Sequence, residues 1–172
     1  MLGLERGVVR LVPYAPEWKD YFEREKAALR QLLGGHILDI QHVGSTAIPG
    51  MPAKPIIDIA IAVHDFEEAR VNIPLIESLG YEYKGEFGIP HRHYFVKGEP
   101  RLFHIHMSEI TSVEWRNTLL FRDYLRQHQD AAQEYARLKQ QLALKYPHDR
   151  EAYLEGKTVF VEKVLRAVKS RA

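Results

Sequence analysis

One carboxylate in an apolar run constrains this chain more than any other feature. Residues 55 to 63 read Pro-Ile-Ile-Asp-Ile-Ala-Ile-Ala-Val, a strand-forming segment in which Asp58 is the sole polar side chain. Burying an unpaired charge there costs several kcal/mol, on the order of 2 or more, so the acid must be paired, metal-bound or open to a cleft. Just upstream, an apolar run with Ile37, Leu38 and Ile40 ends in His42-Val43-Gly44-Ser45-Thr46, a small flexible turn. A hydroxyl-bearing turn beside a strand-borne acid is the layout of a site.

Side chains alternate along a strand, so the facing follows from parity. Ile57, Ile59, Ile61 and Val63 share a β-branched face that should pack on helices, while Ile56, Asp58, Ala60 and Ala62 share a narrow face with room beside the acid. Downstream, Gly98-Glu99-Pro100 separates segments 92 to 97 and 101 to 107, which predicts a hairpin. In its second strand Leu102, His104 and His106 fall on one face, with the imidazoles about 7 Å apart along the strand. Further strands are expected at 37 to 43 and 55 to 63. Helices are expected at 16 to 33, with Pro16 in the first turn and Gly34-Gly35 as the stop, and near 66 to 79. After Ser112 strand signals end. Two or three helices follow from Val113, broken at Tyr146-Pro147-His148-Asp149, where Asp149 caps the next. The reading is one domain over 1–172, strand-rich to about 112 and helical over about 113–172.

Charge and composition exclude several classes. A net charge of +1 and a pI near 8.0 give no footprint for bulk nucleic acid or a membrane surface. The absence of Cys removes disulfides, thiolate metal sites and a Cys nucleophile, and fits the cytoplasm. The first twelve residues are too short and charged for a signal peptide, and no apolar run approaches spanning length. A soluble cytoplasmic protein is expected.

Each candidate also has an ordinary structural reading. His104 and His106 fit the polar face of a half-exposed sheet, Asp58 fits an ion pair with Lys54 or an arginine, and Gly44-Ser45 is common turn chemistry. Together they suit a phosphate and a divalent ion: hydroxyl and N–H donors for the first, a carboxylate for the second. Lys54 is either a phosphate neutraliser or a solvated residue before a strand. Arg92 has the geometry for a bidentate phosphate contact, and His42 either meets phosphate, orients Asp58 or caps the strand. Tyr153 and Lys157 lie one helical turn apart. Residues 113 to 172 hold 12 Lys or Arg against 8 Asp or Glu, which is either a solvated face or a positive wall over an anion.

The stretches HVGSTAIPGMPAKPIIDIAI, GIPHRHYFVKG, RLFHIHM, LLFRDYLRQH and YARLKQQLALKYPHDREAYLEGKTVFV resemble the GrpB family of the nucleotidyltransferase superfamily, over about residues 9 to 168. The resemblance implies an α/β (α+β) fold: a minimal nucleotidyltransferase-like mixed sheet with helices mainly on one face and a C-terminal helical extension. That superfamily transfers a nucleoside monophosphate from a triphosphate to an acceptor, using two metal ions. Its motif is Gly-Ser, then a strand with two acids one residue apart, then a third acid on a later strand. Gly44-Ser45 and Asp58 match. Ala60 stands where the second acid belongs, and His106 replaces the third.

What the resemblance implies is a divalent metal (Mn, Zn, Ni or Mg) on Asp58, His104 and His106, imidazole favouring metals other than Mg. Asp58 and His106 are the catalytic candidates. Phosphate falls to His42, Gly44, Ser45, Thr46, Lys54, Arg92 and Lys157. The expected partner is a nucleotide or other phosphate-containing small molecule. The alternative is a catalytically inactive nucleotide- or metal-binding accessory module, with a coenzyme A link because some relatives carry this domain fused to dephospho-CoA kinase.

Overall fold

The two faces of the Asp58 strand meet different partners, and this decides the architecture. The computed structural model describes residues 1–170, so the last two residues of the helical part expected through 172 lie outside the described residues. Strands β1 (Asp39–Val43), β2 (Ile57–Val63), β3 (Tyr81–Tyr83), β4 (Arg92–Lys97) and β5 (Phe103–Glu109) form one mixed sheet in the order β1-β2-β5-β4-β3. β2 and β5 run parallel and the other neighbours antiparallel. Helices are α1 (Glu17–Leu33), α2 (Asn72–Glu77), α3 (Val113–Gln127), α4 (Gln129–Lys145) and α5 (Arg150–Lys169).

Ile57, Ile59, Ile61 and Val63 form the main core with Ile40, Phe95, Ile105 and Met107 from neighbouring strands. Trp18, Phe22, Leu29 and Leu33 of α1 close that core, each fully or nearly buried. Burial of such a side chain is worth about 1.5–3 kcal/mol, so this face carries much of the stability. α1 starts after Pro16 as expected and stops at Gly34, whose φ of 53° is glycine geometry. The helix expected near 66 to 79 is a 3-10 turn, Glu68–Val71, leading into the short α2. Pro74 lacks an N–H and fits only a first turn, which places the start of α2 late. β3, only three residues long, shows no readable alternation and was not expected.

The opposite face is covered by the C-terminal helices. Trp115 and Leu119 of α3 pack on Val43, Ala60 and Ala62. A second apolar cluster joins Leu125, Tyr135, Phe160 and Val164 to Ile48 and Met51, just beyond the Gly-Ser-Thr turn. Three helices form, the last capped by the Asp149 carboxylate, which accepts from the Ala152 N–H at 3.0 Å. Among the described residues no helix is long and apolar enough to cross a membrane.

Two arginines of α3 tie this layer to the turn. Arg122 donates to the Gln41 side chain and to the His42 carbonyl, both at 2.9 Å, and Arg126 donates to the Ala47 carbonyl at 2.9 Å. Arg122 is buried, so removing it orphans a carbonyl with no access to water. Arg122→Met is expected to lower unfolding stability by about 1–3 kcal/mol in urea titration, with Trp115 fluorescence reporting the loosening of α3.

Candidate functional site

The register between β2 and β5 assembles the site. Asp58 lies opposite His104 and Ala60 opposite His106, so the acid and both imidazoles project from the face away from the isoleucines. His106 Nε2 is 3.0 Å from Asp58 Oδ1, and His104 Nδ1 is 3.5 Å from the same oxygen. Asp58 is enclosed at the floor of a cleft, yet its side chain keeps 29% of its surface exposed. Enclosure alone raises a carboxyl pKa; the hydrogen bonds with His104 and His106 outweigh that and hold Asp58 well below the usual range, so it is ionised. Burial, opposed by the Asp58 contact, lowers the His104 pKa and favours its neutral form.

Gly44 is required twice at this point. Its φ of 75° and ψ of −175° belong to a region open essentially to glycine, and an added Cβ would lie 2.7 Å from Asp58 Oδ2. The turn can therefore press against the carboxylate only because no side chain intervenes.

Around the acid is a cavity of about 640 Å³, within the range of small-molecule sites. It is lined by Gly44, Ser45, Thr46, Lys54, Arg92, His104, His106 and Lys157 together with Asp58, so most of the expected residues converge. His42 does not line it. It pairs with Ile59 across the sheet, stacks on Phe22 with centroids 4.7 Å apart, and reaches Thr46 Oγ1 at 2.9 Å. Burial pushes its pKa down to about 4, leaving a neutral brace under the turn. Parity with Ile40 was the signal for this placement. Arg92 faces the cavity, but four of its five N–H donors are committed: to the Glu86 carbonyl at 3.2 and 3.3 Å, to the Phe87 carbonyl at 3.1 Å and to His106 Nδ1 at 3.2 Å.

Lys139 was missed. It comes from α4, is 1% exposed, and donates to Ser45 Oγ at 2.8 Å and to the Pro52 carbonyl at 2.5 Å. Its ammonium sits over the Tyr135 ring at 5.0 Å, as those of Lys157 and Lys54 sit over Tyr153 at 4.8 and 5.1 Å. The repeated spacing Tyr135 to Lys139 and Tyr153 to Lys157 was the available sequence signal. Among the described residues none of these three lysines forms an ion pair with a carboxylate. Burial, with repulsion from neighbouring cations, lowers Lys54 to about 7, Lys139 to about 6 and Lys157 to about 8.

The metal expected on Asp58, His104 and His106 can be tested against these contacts. An arginine side chain only donates, so His106 Nδ1 accepts from Arg92, and its proton sits on Nε2, donated to Asp58. That nitrogen offers no lone pair. Among the described residues no group of three His, Cys, Asp or Glu side chains is arranged to hold a metal ion. The donor set as folded is a hydrogen-bonded chain and does not fit a divalent metal.

The mixed sheet with Gly-Ser turn and strand-borne acid defines a nucleotidyltransferase-type fold. The chain matches the GrpB protein family over residues 8–167 and belongs to it. It is 42% identical over 155 residues to the UPF0157 protein YqkA of Bacillus subtilis, covering 90% of this chain and 45% of YqkA, less than half that relative's length. The glutamate-rich protein GrpB of Alkalihalophilus pseudofirmus is 35% identical over 171 residues, 96% of this chain and 98% of that one. A dephospho-CoA kinase of Mycolicibacterium paratuberculosis is 32% identical over 180 residues, 90% of this chain and 44% of that one. The crystal structure of GrpB from Enterococcus faecalis superposes with a TM-score of 0.87 at 35% identity, over 94% and 98% of the two chains. The MgGTP-bound Cid1 poly(U) polymerase shares the fold, with a TM-score of 0.52 at 12% identity over 76% and 44%.

Two expectations follow. Gly44→Ala should cost about 1–3 kcal/mol, read by denaturant unfolding, because it strains the backbone and displaces Asp58. The lysines set a pH dependence for the empty protein: their folded pKa values lie below the unfolded value of 10.5, so the unfolded chain binds more protons between them. The penalty is full below about 6 and is relieved as pH rises, so melting temperature should climb from about pH 7 to 9, and less steeply in Lys139→Met.

Proposed function

We propose that the cavity binds a phosphorylated ligand of the nucleotide class, with its phosphates at the Ser45-Thr46 turn. The observation that carries this reading is the convergence of Lys54, Lys139 and Lys157 on one cavity, backed by aromatic rings and, among the described residues, without carboxylate ion-pair partners. Cations placed this way are costly until an anion arrives. Ser45 supports the reading, because its oxygen accepts from Lys139 and so ties the hydroxyl of the turn to that ammonium.

A ring-bearing ligand is favoured over bare phosphate by Phe87. This side chain lines the cavity, is 58% exposed, stacks on Tyr94 with centroids 5.3 Å apart, and has a φ of 50°. Arg92 holds its carbonyl in that conformation. An exposed aromatic face kept in a costly backbone geometry suits stacking by a heterocycle. Ala60, in place of an acid, favours an accessory or regulatory binding role in the cytoplasm over nucleotidyl transfer. The dephospho-CoA kinase relative supports a coenzyme A setting as the second reading of the ligand.

Calorimetry and thermal shift with inorganic tripolyphosphate, the nucleoside triphosphates and dephospho-coenzyme A test this. Binding by at least one is expected, weakened about tenfold or more by Lys139→Met or Lys157→Met, since a charge-assisted hydrogen bond is worth about 1.5–3 kcal/mol. Phe87→Ala should weaken nucleotides and leave tripolyphosphate unaffected. Because the anion raises the lysine pKa values, binding should take up protons and weaken from about pH 7 to 9. No heat and no thermal shift with any of these ligands would overturn the reading, and pyrophosphate release from a triphosphate would replace it with transfer.

A further inference from the structure

We propose that this cavity holds its phosphate ligand without a divalent metal, because Arg92 locks His106 in the tautomer that cannot ligate one and the lysines supply the missing positive charge. The inference rests on the phosphate-binding reading and deepens it. In a two-metal site, acids hold cations that neutralise the phosphates. Here only one of the acids is present, and its Oδ1 oxygen already accepts from His106.

The lock is geometric. Arg92 is pinned by three contacts to the Glu86 and Phe87 carbonyls, so its Nη1 stays against His106 Nδ1. For Nε2 to bind a metal, the proton would move to Nδ1 and face an Arg92 N–H, donor against donor. That tautomer would also surrender the hydrogen bond from His106 to Asp58. Ala60 adds a methyl group where a second carboxylate would complete a metal shell. Lys54, Lys139, Lys157 and Arg150 line the same space, where the lysines gain protons as an anion binds. A metal added to them would compete for the same charges on the ligand.

Isothermal titration of tripolyphosphate and ATP into the protein, in EDTA and then in excess MgCl2 or MnCl2, separates the cases. Affinity in EDTA should equal or exceed that with metal, and MnCl2 alone should give neither heat nor a thermal shift. Long-range proton–nitrogen NMR of the histidine rings should show His106 as the Nε2–H tautomer. Manganese electron paramagnetic resonance should detect tight binding only after Arg92→Gln frees Nδ1. Phosphate binding that appears only with metal, or an Nδ1–H tautomer at His106, would overturn the inference while leaving the phosphate reading in place. Absence of any phosphate binding, with or without metal, would remove both.

Discussion

The ionised carboxylate of Asp58 sits between the core and the cleft, and its neighbours are arranged around the difficulty of keeping it there. The parallel register of β2 with β5 sets His104 opposite it and His106 two residues further on. The same register buries Ile57, Ile59 and Ile61 against α1. A slip of one residue would send both imidazoles into the isoleucine face, so hydrophobic burial and site geometry enforce one another. Gly44 completes the enclosure from the side of the turn, and His42 braces that turn from the core side of the sheet.

The helical layer supplies what the sheet lacks. α4 and α5 each carry a lysine one turn beyond a tyrosine, with the ammonium over the ring. A ring holds a cation by its quadrupole without cancelling the charge, which a carboxylate would do. The lowered lysine pKa values measure how incompletely rings and backbone oxygens replace water. On the proposed reading, stability given up in the empty cavity returns as affinity for the anion, a trade common at binding sites. Arg122 and Arg126 keep this layer registered on the turn, where Lys139 meets Ser45 at 2.8 Å.

How much of this was legible depends on whether the signal was local. Asp58 stood out because one charge in a β-branched run has few tolerable explanations, and strand parity put His104 and His106 on its side of the sheet. Parity also placed His42 with Ile40 on the core face, but proximity to the turn was the more visible cue. Lys139 shares the tyrosine-to-lysine spacing of Tyr153 and Lys157, but a lysine in a charged helix reads as solvated; its burial comes from packing of α4 on residues more than eighty positions earlier. Arg92 illustrates the converse. Its guanidinium chemistry suits phosphate, but chain geometry brings the Glu86 and Phe87 carbonyls within reach first. Such tertiary competition for donors leaves no trace in residue type.

On the proposed reading, Ala60, His106 and the three lysines form one substitution rather than separate departures. A phosphate chain needs positive charge in a place of low dielectric, and either metal ions held by acids or fixed cations can provide it. An acid at position 60 would lie on the same face as Asp58, two residues away and opposite His106. Without a metal it would repel Asp58 and draw a lysine into an ion pair, cancelling a cation that the ligand needs. With lysines present, a small apolar residue at 60 and an imidazole at 106 that donates from Nε2 to Asp58 are therefore the consistent choices. Asp58 then remains as a negative anchor: it accepts the proton of His106, and its charge offsets part of the repulsion at Lys157. On the proposed reading, the acid of β2 thus serves the cation cluster.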